Sequence, residues 1–186
     1  MSLQRIAAID DQAPNVEVLV NAIQDFLEAE AVPFDRLPAT PESVSAWVRD
    51  ARIDAVLIDQ DLRKGNYSTT TGMDIAAELF RQRCPAVLTT MHRMADLPDG
   101  IWYRRYLPAF LPKDRLVMVE QAMMSAIAEI EGYVAPERKA YRTVVRVDDV
   151  HRRDTSLIVA AYNPNEWISV STEELVRRIG KTPVAG

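Results

Sequence analysis

Two short apolar runs, each stopping at acids, constrain this chain more than any other feature. Ala55-Val56-Leu57-Ile58 runs into Asp59-Gln60-Asp61, and Arg5-Ile6-Ala7-Ala8-Ile9 runs into Asp10-Asp11. Apolar stretches this short, with β-branched residues among them, read as strands buried on both faces of a parallel sheet rather than as helices. In such a sheet ligands bind outside the carboxyl ends of the strands. Two acid-ended strands therefore bring three or four carboxylates to one edge. Like charges held that close repel one another, so the cluster calls for a cation. All-oxygen donors suit a hard ion, Mg²⁺ first, which keeps several waters and asks for few carboxylates.

The intervening segments alternate with these strands. After Pro14, the helical spacing of Val16, Leu19, Ile23, Phe26 and Leu27 predicts a helix to about Glu30. Phe34 to Leu37 reads as a second strand, and Thr40-Pro41 caps a helix with Val44, Trp47 and Val48 inward. Leu62 to Gly72 is a polar loop, and Tyr67 to Thr71 within it is expected to be disordered. A helix over Met73 to Arg83 turns Ile75, Ala76, Leu79 and Phe80 inward, and Pro85 to Thr90 is the fourth strand. Pro98 and Gly100 interrupt Met91 to Arg105, which predicts a short or broken helix. Tyr106 to Leu111 is the fifth strand, followed by Pro112-Lys113-Asp114 and a long helix striped by Leu116, Val117, Met123, Ile127 and Ile130. Strand and helix alternating five times predict an α/β fold, a five-stranded parallel sheet with helices on both faces.

That domain spans residues 1–132, with a linker over 133–140. From 141 to 180 the apolar period changes to two, which predicts a small antiparallel β-rich unit ending in a short helix; 181–186 is a tail expected to fray. Its strands are expected over Thr143–Val147, Ser156–Tyr162 and Trp167–Val170, with a turn at Asn163-Pro164-Asn165 and Trp167 in the core. Ser171 with Glu174 reads as a capping box.

Charge and composition narrow the function classes. A net charge of -5 and pI near 5.1 speak against a nucleic-acid-binding surface, and no helix-turn-helix pattern appears. Cys84 stands alone, so no internal disulfide forms, and it is expected to be a buried structural thiol. His92 and His151 lack metal spacing, and Trp102-Tyr103-Arg104-Arg105-Tyr106 suggests a protein contact or packed surface. No apolar leader or membrane-length run occurs, so the expectation is a cytoplasmic protein without a membrane partner.

The carboxyl edge would gather Asp10, Asp11, Asp59, Thr89 and Lys113. Each type has a use if a carboxylate accepts a phosphoryl group. A metal offsets charge that would block attack, a lysine adds a compact positive contact, and a hydroxyl bonds the new oxygen. This ordered set, spread over residues 5–131, resembles the receiver domain of two-component response regulators. The resemblance implies a flavodoxin-like doubly wound fold with Asp59 as phospho-acceptor. It implies Mg²⁺ on Asp10, Asp11, Asp59 and the Asp61 backbone carbonyl. Thr89 would be the switch hydroxyl, Lys113 the phosphate contact and Phe110 the rotating aromatic. By the same resemblance the partner is a sensor histidine kinase or phosphotransfer protein. The chain would accept phosphoryl groups, with at most self-phosphorylation and self-dephosphorylation, rather than act as an enzyme. The C-terminal unit would be an output element or a homodimer contact.

The chain departs from the family at three places. Asp114 stands where Pro usually follows the lysine, the loop over 62–72 is long, and the segment before the fifth strand fits a regular helix poorly. These departures motivate an alternative, a receiver-like interaction module that is never phosphorylated. A third reading is a haloacid-dehalogenase-type phosphatase, which Asp59-Gln60-Asp61 resembles. Against it, Leu62-Arg63 departs from that motif, which usually opens its fold.

Overall fold

A computed structural model describes residues 3–92, 100–138, 145–160 and 163–180. Within it, β1 (Arg5–Ile9), β2 (Glu30–Pro33), β3 (Ala55–Asp59), β4 (Ala86–Thr90) and β5 (Ala109–Pro112) form a parallel sheet in the order β2-β1-β3-β4-β5. The helices are α1 (Ala13–Leu27), α2 (Pro41–Asp50), α3 (Gly72–Arg81), α4 (Gly100–Tyr103) and α5 (Val119–Ile130). Strand alternation divides the core between two faces. Ile6, Ala8, Leu57, Val87 and Leu111 pack with Leu19 and Ile23 of α1 and Met123 and Ile127 of α5. On the other side α2 packs with α3, and α3 reaches β3 and β4. The order is that of a doubly wound sheet whose switch point lies between β1 and β3.

Contacts divide the chain into two units, Met1–His92 with Tyr103–Glu137, and Arg93–Trp102 with Arg138–Gly186. The second contains an antiparallel sheet of β6 (Val145–Val150), β7 (Asp154–Val159) and β8 (Asn163–Ser171), then α6 (Thr172–Ile179). Its core is Leu157, Val159, Ile168, Val170 and Leu175, with Trp102 and Val147 packed against them.

Several local expectations shift. The first helix stops at Leu27 because Glu28 turns left-handed at φ 48°, and the second strand therefore begins at Glu30 instead of Phe34. Phe34 instead stands edge-on to Trp47, with ring centroids 5.1 Å apart. Pro33 is tolerated because β2 is an edge strand. The fifth strand starts at Ala109, since Arg104–Tyr106 winds into a 3₁₀ turn with the guanidinium groups of Arg81 and Arg105 at 4.3 and 4.8 Å from the Tyr106 ring centroid. A second 3₁₀ turn over Lys113–Met118 precedes α5 and leaves Val117 exposed, off the predicted stripe.

The interrupted segment does contain a broken helix, four residues of α4 followed by the 3₁₀ turn. Tyr67 to Thr71 is ordered: Ser68 is buried with its hydroxyl on the Ala39 carbonyl, and Thr71 caps α3. In the small unit, Asn163 to Asn165 belong to β8, with Val159 paired to Asn163. Trp167 is 43% exposed and carries the Arg146 guanidinium on its face, because Ile168 and Val170 take the inward positions. Ser171 accepts from the Glu174 amide, while the Glu174 carboxylate turns to Arg177 and Arg178. Pro98, the strand ends expected at Thr143 and Tyr162, and the tail over 181–186 lie outside the described residues.

Candidate functional site

The ends of three parallel strands deliver the site. β1 ends at Ile9 and hands on Asp10, whose side chain is fully buried; β3 ends on Asp59; and Lys113 follows β5. Lys113 Nζ lies 2.8 Å from Asp10 Oδ2 and 2.9 Å from Asp59 Oδ1, one ammonium shared by two carboxylates. Such charge-assisted contacts are the strong class of hydrogen bond. The remaining oxygens are used locally. Asp10 Oδ1 accepts from the Gln12 amide at 2.9 Å and Asn15 Nδ2 at 3.2 Å, and Asp59 Oδ2 accepts from the Asp61 amide at 2.9 Å.

Burial is the largest influence on Asp59 and raises its pKa, with Lys113 opposing and the Asp10 charge adding to the rise. Burial also works against the Lys113 charge, yet Asp10 and Asp59 together hold its pKa above the usual lysine value. The ammonium therefore stays charged.

Asp11 is reached from another side. The Lys64 amide donates to Asp11 Oδ2 at 2.7 Å, and Asp11 Oδ1 is buried with no hydrogen-bond partner. Thr89 is the register partner of Asp59 on the adjacent strand, and its hydroxyl donates to the Ile58 carbonyl at 3.2 Å. Asp61 gives its amide to Asp59, while its exposed carboxylate pairs with Arg63, which lowers its pKa. Phe110 is half-buried on β5 and lines an open cleft of about 320 Å³ with Pro112, Arg115, Met118 and Gln121. Among the described residues the cis peptide is Leu37–Pro38; the Lys113–Asp114 bond is trans.

Among the described residues no three His, Cys, Asp or Glu side chains form a metal-holding group. The chemistry nonetheless suits a divalent ion that keeps most of its waters and takes few protein ligands. One ammonium answers Asp10 and Asp59, Asp11 meets no cationic side chain in these contacts, and its Oδ1 is a buried acceptor with nothing on it.

Sequence reasoning missed Gly72. A Cβ built there would stand 1.9 Å from the Asp59 carbonyl oxygen, so α3 starts directly against the Asp59 backbone. The Gly72 amide also donates to the Gln60 carbonyl at 3.0 Å. The only available sequence signal was a glycine at the end of a hydroxyl-rich loop.

No protein-family model matches the sequence, and no curated protein does. Solved structures do match. A two-component response regulator of the LuxR family from Aurantimonas sp. SI85-9A1 aligns at TM-score 0.54 and 18% identity, over 74% of this chain and 99% of that one. The signal receiver domain of an HD domain-containing protein from Pseudomonas fluorescens Pf-5 aligns at TM-score 0.51 and 15% identity, over 71% and 95%. The Salmonella typhimurium RcsB response regulator, in a structure described for its conformational dynamism for DNA interaction, aligns at 0.50 and 12%, over 74% and 65%. At these identities the likeness is one of fold, and the fold is the response-regulator receiver. No helix among the described residues is long and apolar enough to cross a membrane.

Proposed function

We propose that this receiver-fold chain is a phosphoryl acceptor in a two-component relay, with Asp59 as the residue modified. The observation that carries the reading is the shared Lys113 ammonium, within 2.9 Å of both Asp10 and Asp59 at the carboxyl edge of the sheet. An Asp59 carboxylate oxygen attacks phosphorus, and the donor's P–N bond in a phosphohistidine, or P–O bond in a small acyl phosphate, breaks with its electron pair leaving on the donor. Asp10, Asp11 and Asp59 would hold Mg²⁺, which when bound offsets the charge of the incoming phosphoryl oxygens. Lys113 stays protonated and exchanges part of its contact with Asp59 for a phosphoryl oxygen. Thr89 turns its hydroxyl from the Ile58 carbonyl toward the new group, which brings roughly -1.5 to -2 charge.

The sensor kinase or phosphotransfer partner, the Mg²⁺ requirement and the absence of catalytic turnover all belong to this proposal. Full-length protein incubated with acetyl phosphate and Mg²⁺ should gain one phosphoryl group by intact mass, and Asp59→Asn should not. No gain on the wild type, or an equal gain on the variant, sinks the assignment. The Lys113 bridge, which already occupies Asp59 Oδ1, favours a second reading as an unphosphorylated interaction module. That reading gains if beryllium fluoride with Mg²⁺ leaves the oligomeric state and melting temperature unchanged.

A further inference from the structure

Asp10 is the most fully held of the three acids at the sheet edge. Its side chain has no exposed surface, and each oxygen has its own partners. Oδ2 accepts from the Lys113 ammonium at 2.8 Å, while Oδ1 accepts from the Gln12 amide at 2.9 Å and from Asn15 Nδ2 at 3.2 Å. Among the described residues, Asn15 and Lys113 are the side chains bonded to Asp10. Asn15 is itself fixed by the first turn of α1, where its amide donates to the Gln12 carbonyl at 2.9 Å.

The terminal torsion of an aspartate is broad and roughly two-fold, so the side chain alone does not decide which oxygen faces which partner. The Asn15 amide makes that choice. With Oδ1 tied to the start of α1, Oδ2 is left facing Lys113, whose ammonium then stands 2.9 Å from Asp59 Oδ1. Each link from Asn15 to Asp59 is thus a direct contact, and all three involve an ionised group, the strong class of hydrogen bond. As Lys113 exchanges part of its contact with Asp59 for a phosphoryl oxygen, Asp10 becomes its remaining anchor.

We propose that Asn15 is a positioning residue for phosphoryl transfer to Asp59, acting through Asp10 and the Lys113 ammonium. The inference rests on the acceptor reading above and adds to it a residue outside the acid, hydroxyl and lysine set. A misplacement of about 1 Å, caused by a change away from the chemistry, can slow a reaction by about 100-fold. A side chain that only steadied the start of α1 would act otherwise, lowering stability and leaving the rate intact.

The test compares the full-length wild type with Asn15→Leu and Asn15→Ala, both lacking the donor. Thr40→Ala, which loses the cap at the start of α2, controls for lost stability. The chain has four lysines, so labelling them with nitrogen-15 gives few Nζ signals, each read through its non-exchanging side-chain protons. The Lys113 signal is the one absent from Lys113→Ala. In EDTA both Asn15 variants should shift it, and with acetyl phosphate and Mg²⁺ they should gain the phosphoryl group about tenfold more slowly by intact mass. Thr40→Ala should melt lower yet match wild type in signal and rate. A folded Asn15 variant that reacts at the wild-type rate overturns the role of Asn15. So does a slower rate with the Lys113 signal unmoved, or an equal slowing in Thr40→Ala, which would make lost stability the cause. Wild type gaining no phosphoryl group removes the acceptor reading itself, and this inference with it.

Discussion

At the scale of single residues, Asp59 depends on an atom that is not there. Gly72 leaves room for the Asp59 carbonyl that any β-carbon would occupy at 1.9 Å. Gly72→Ala must therefore displace the end of β3 or the start of α3, and overpacking of this kind costs about 1–3 kcal/mol. The expected outcome is a lower midpoint in urea unfolding together with loss of phosphoryl uptake at Asp59. Cys84 makes the opposite sort of prediction. Burial, aided by the nearby Asp54 charge, pushes its thiol up to about 12. The thiolate is the reactive form, so iodoacetamide at pH 8 should leave Cys84 unmodified in the folded chain and alkylate it fully in denaturant. Cys84 is half-buried rather than fully buried as the sequence suggested, and equal rates in the two states would contradict its shielding. The acids and Lys113 were legible in the sequence because each sits at the end of an apolar run. Gly72 was not, since its importance comes from a close approach to the Asp59 carbonyl that leaves no periodic trace.

Among the elements, α3 joins α2, β3, β4 and the Arg104–Tyr106 turn. The Thr71 hydroxyl oxygen accepts from the Asp74 amide, and Asp74 Oδ2 accepts from the Thr71 amide and hydroxyl at 2.9 and 2.8 Å. The other Asp74 oxygen accepts from the Tyr103 hydroxyl. Thr71→Ala removes the reciprocal cap, a change worth about 1 kcal/mol, and should lower the denaturation midpoint while Thr71→Ser restores most of it. Strand and helix identities were readable from period and length, and β3 and β4 came out almost residue for residue. The edge elements were not. β2 is short and half-exposed, so no continuous apolar run announces it, and the apolar Phe34 beyond it looks more like a strand than Glu30 does. Trp167 misled in the same way: in a two-faced sheet its alternation with Ile168 leaves open which of the two faces inward.

For the molecule as a whole, Lys113 closes the first unit by joining Asp10, 103 positions earlier in the chain, to Asp59. Removing one member of a buried charged set leaves the others uncompensated, at about 3–5 kcal/mol. Lys113→Ala should therefore melt well below wild type in EDTA, and added Mg²⁺ should recover more stability in the variant than in the wild type. No such difference would mean that the ion and the ammonium do not answer the same negative charge. The five-fold alternation in the sequence was enough to predict this unit, because a parallel sheet leaves few ways to connect strand and helix. The second unit was predicted only as antiparallel strands and a helix.

The division of the chain into two units falls inside α4, between Trp102 and Tyr103. Trp102 packs against the Leu157 cluster and holds the Arg178 guanidinium 4.8 Å above its ring, while its neighbour Tyr103 bonds Asp74. A protease cutting once after Glu137 would thus free a carboxy-terminal fragment stripped of the indole that packs against its core. The piece would emerge with an apolar scar, and no single scission could release it whole.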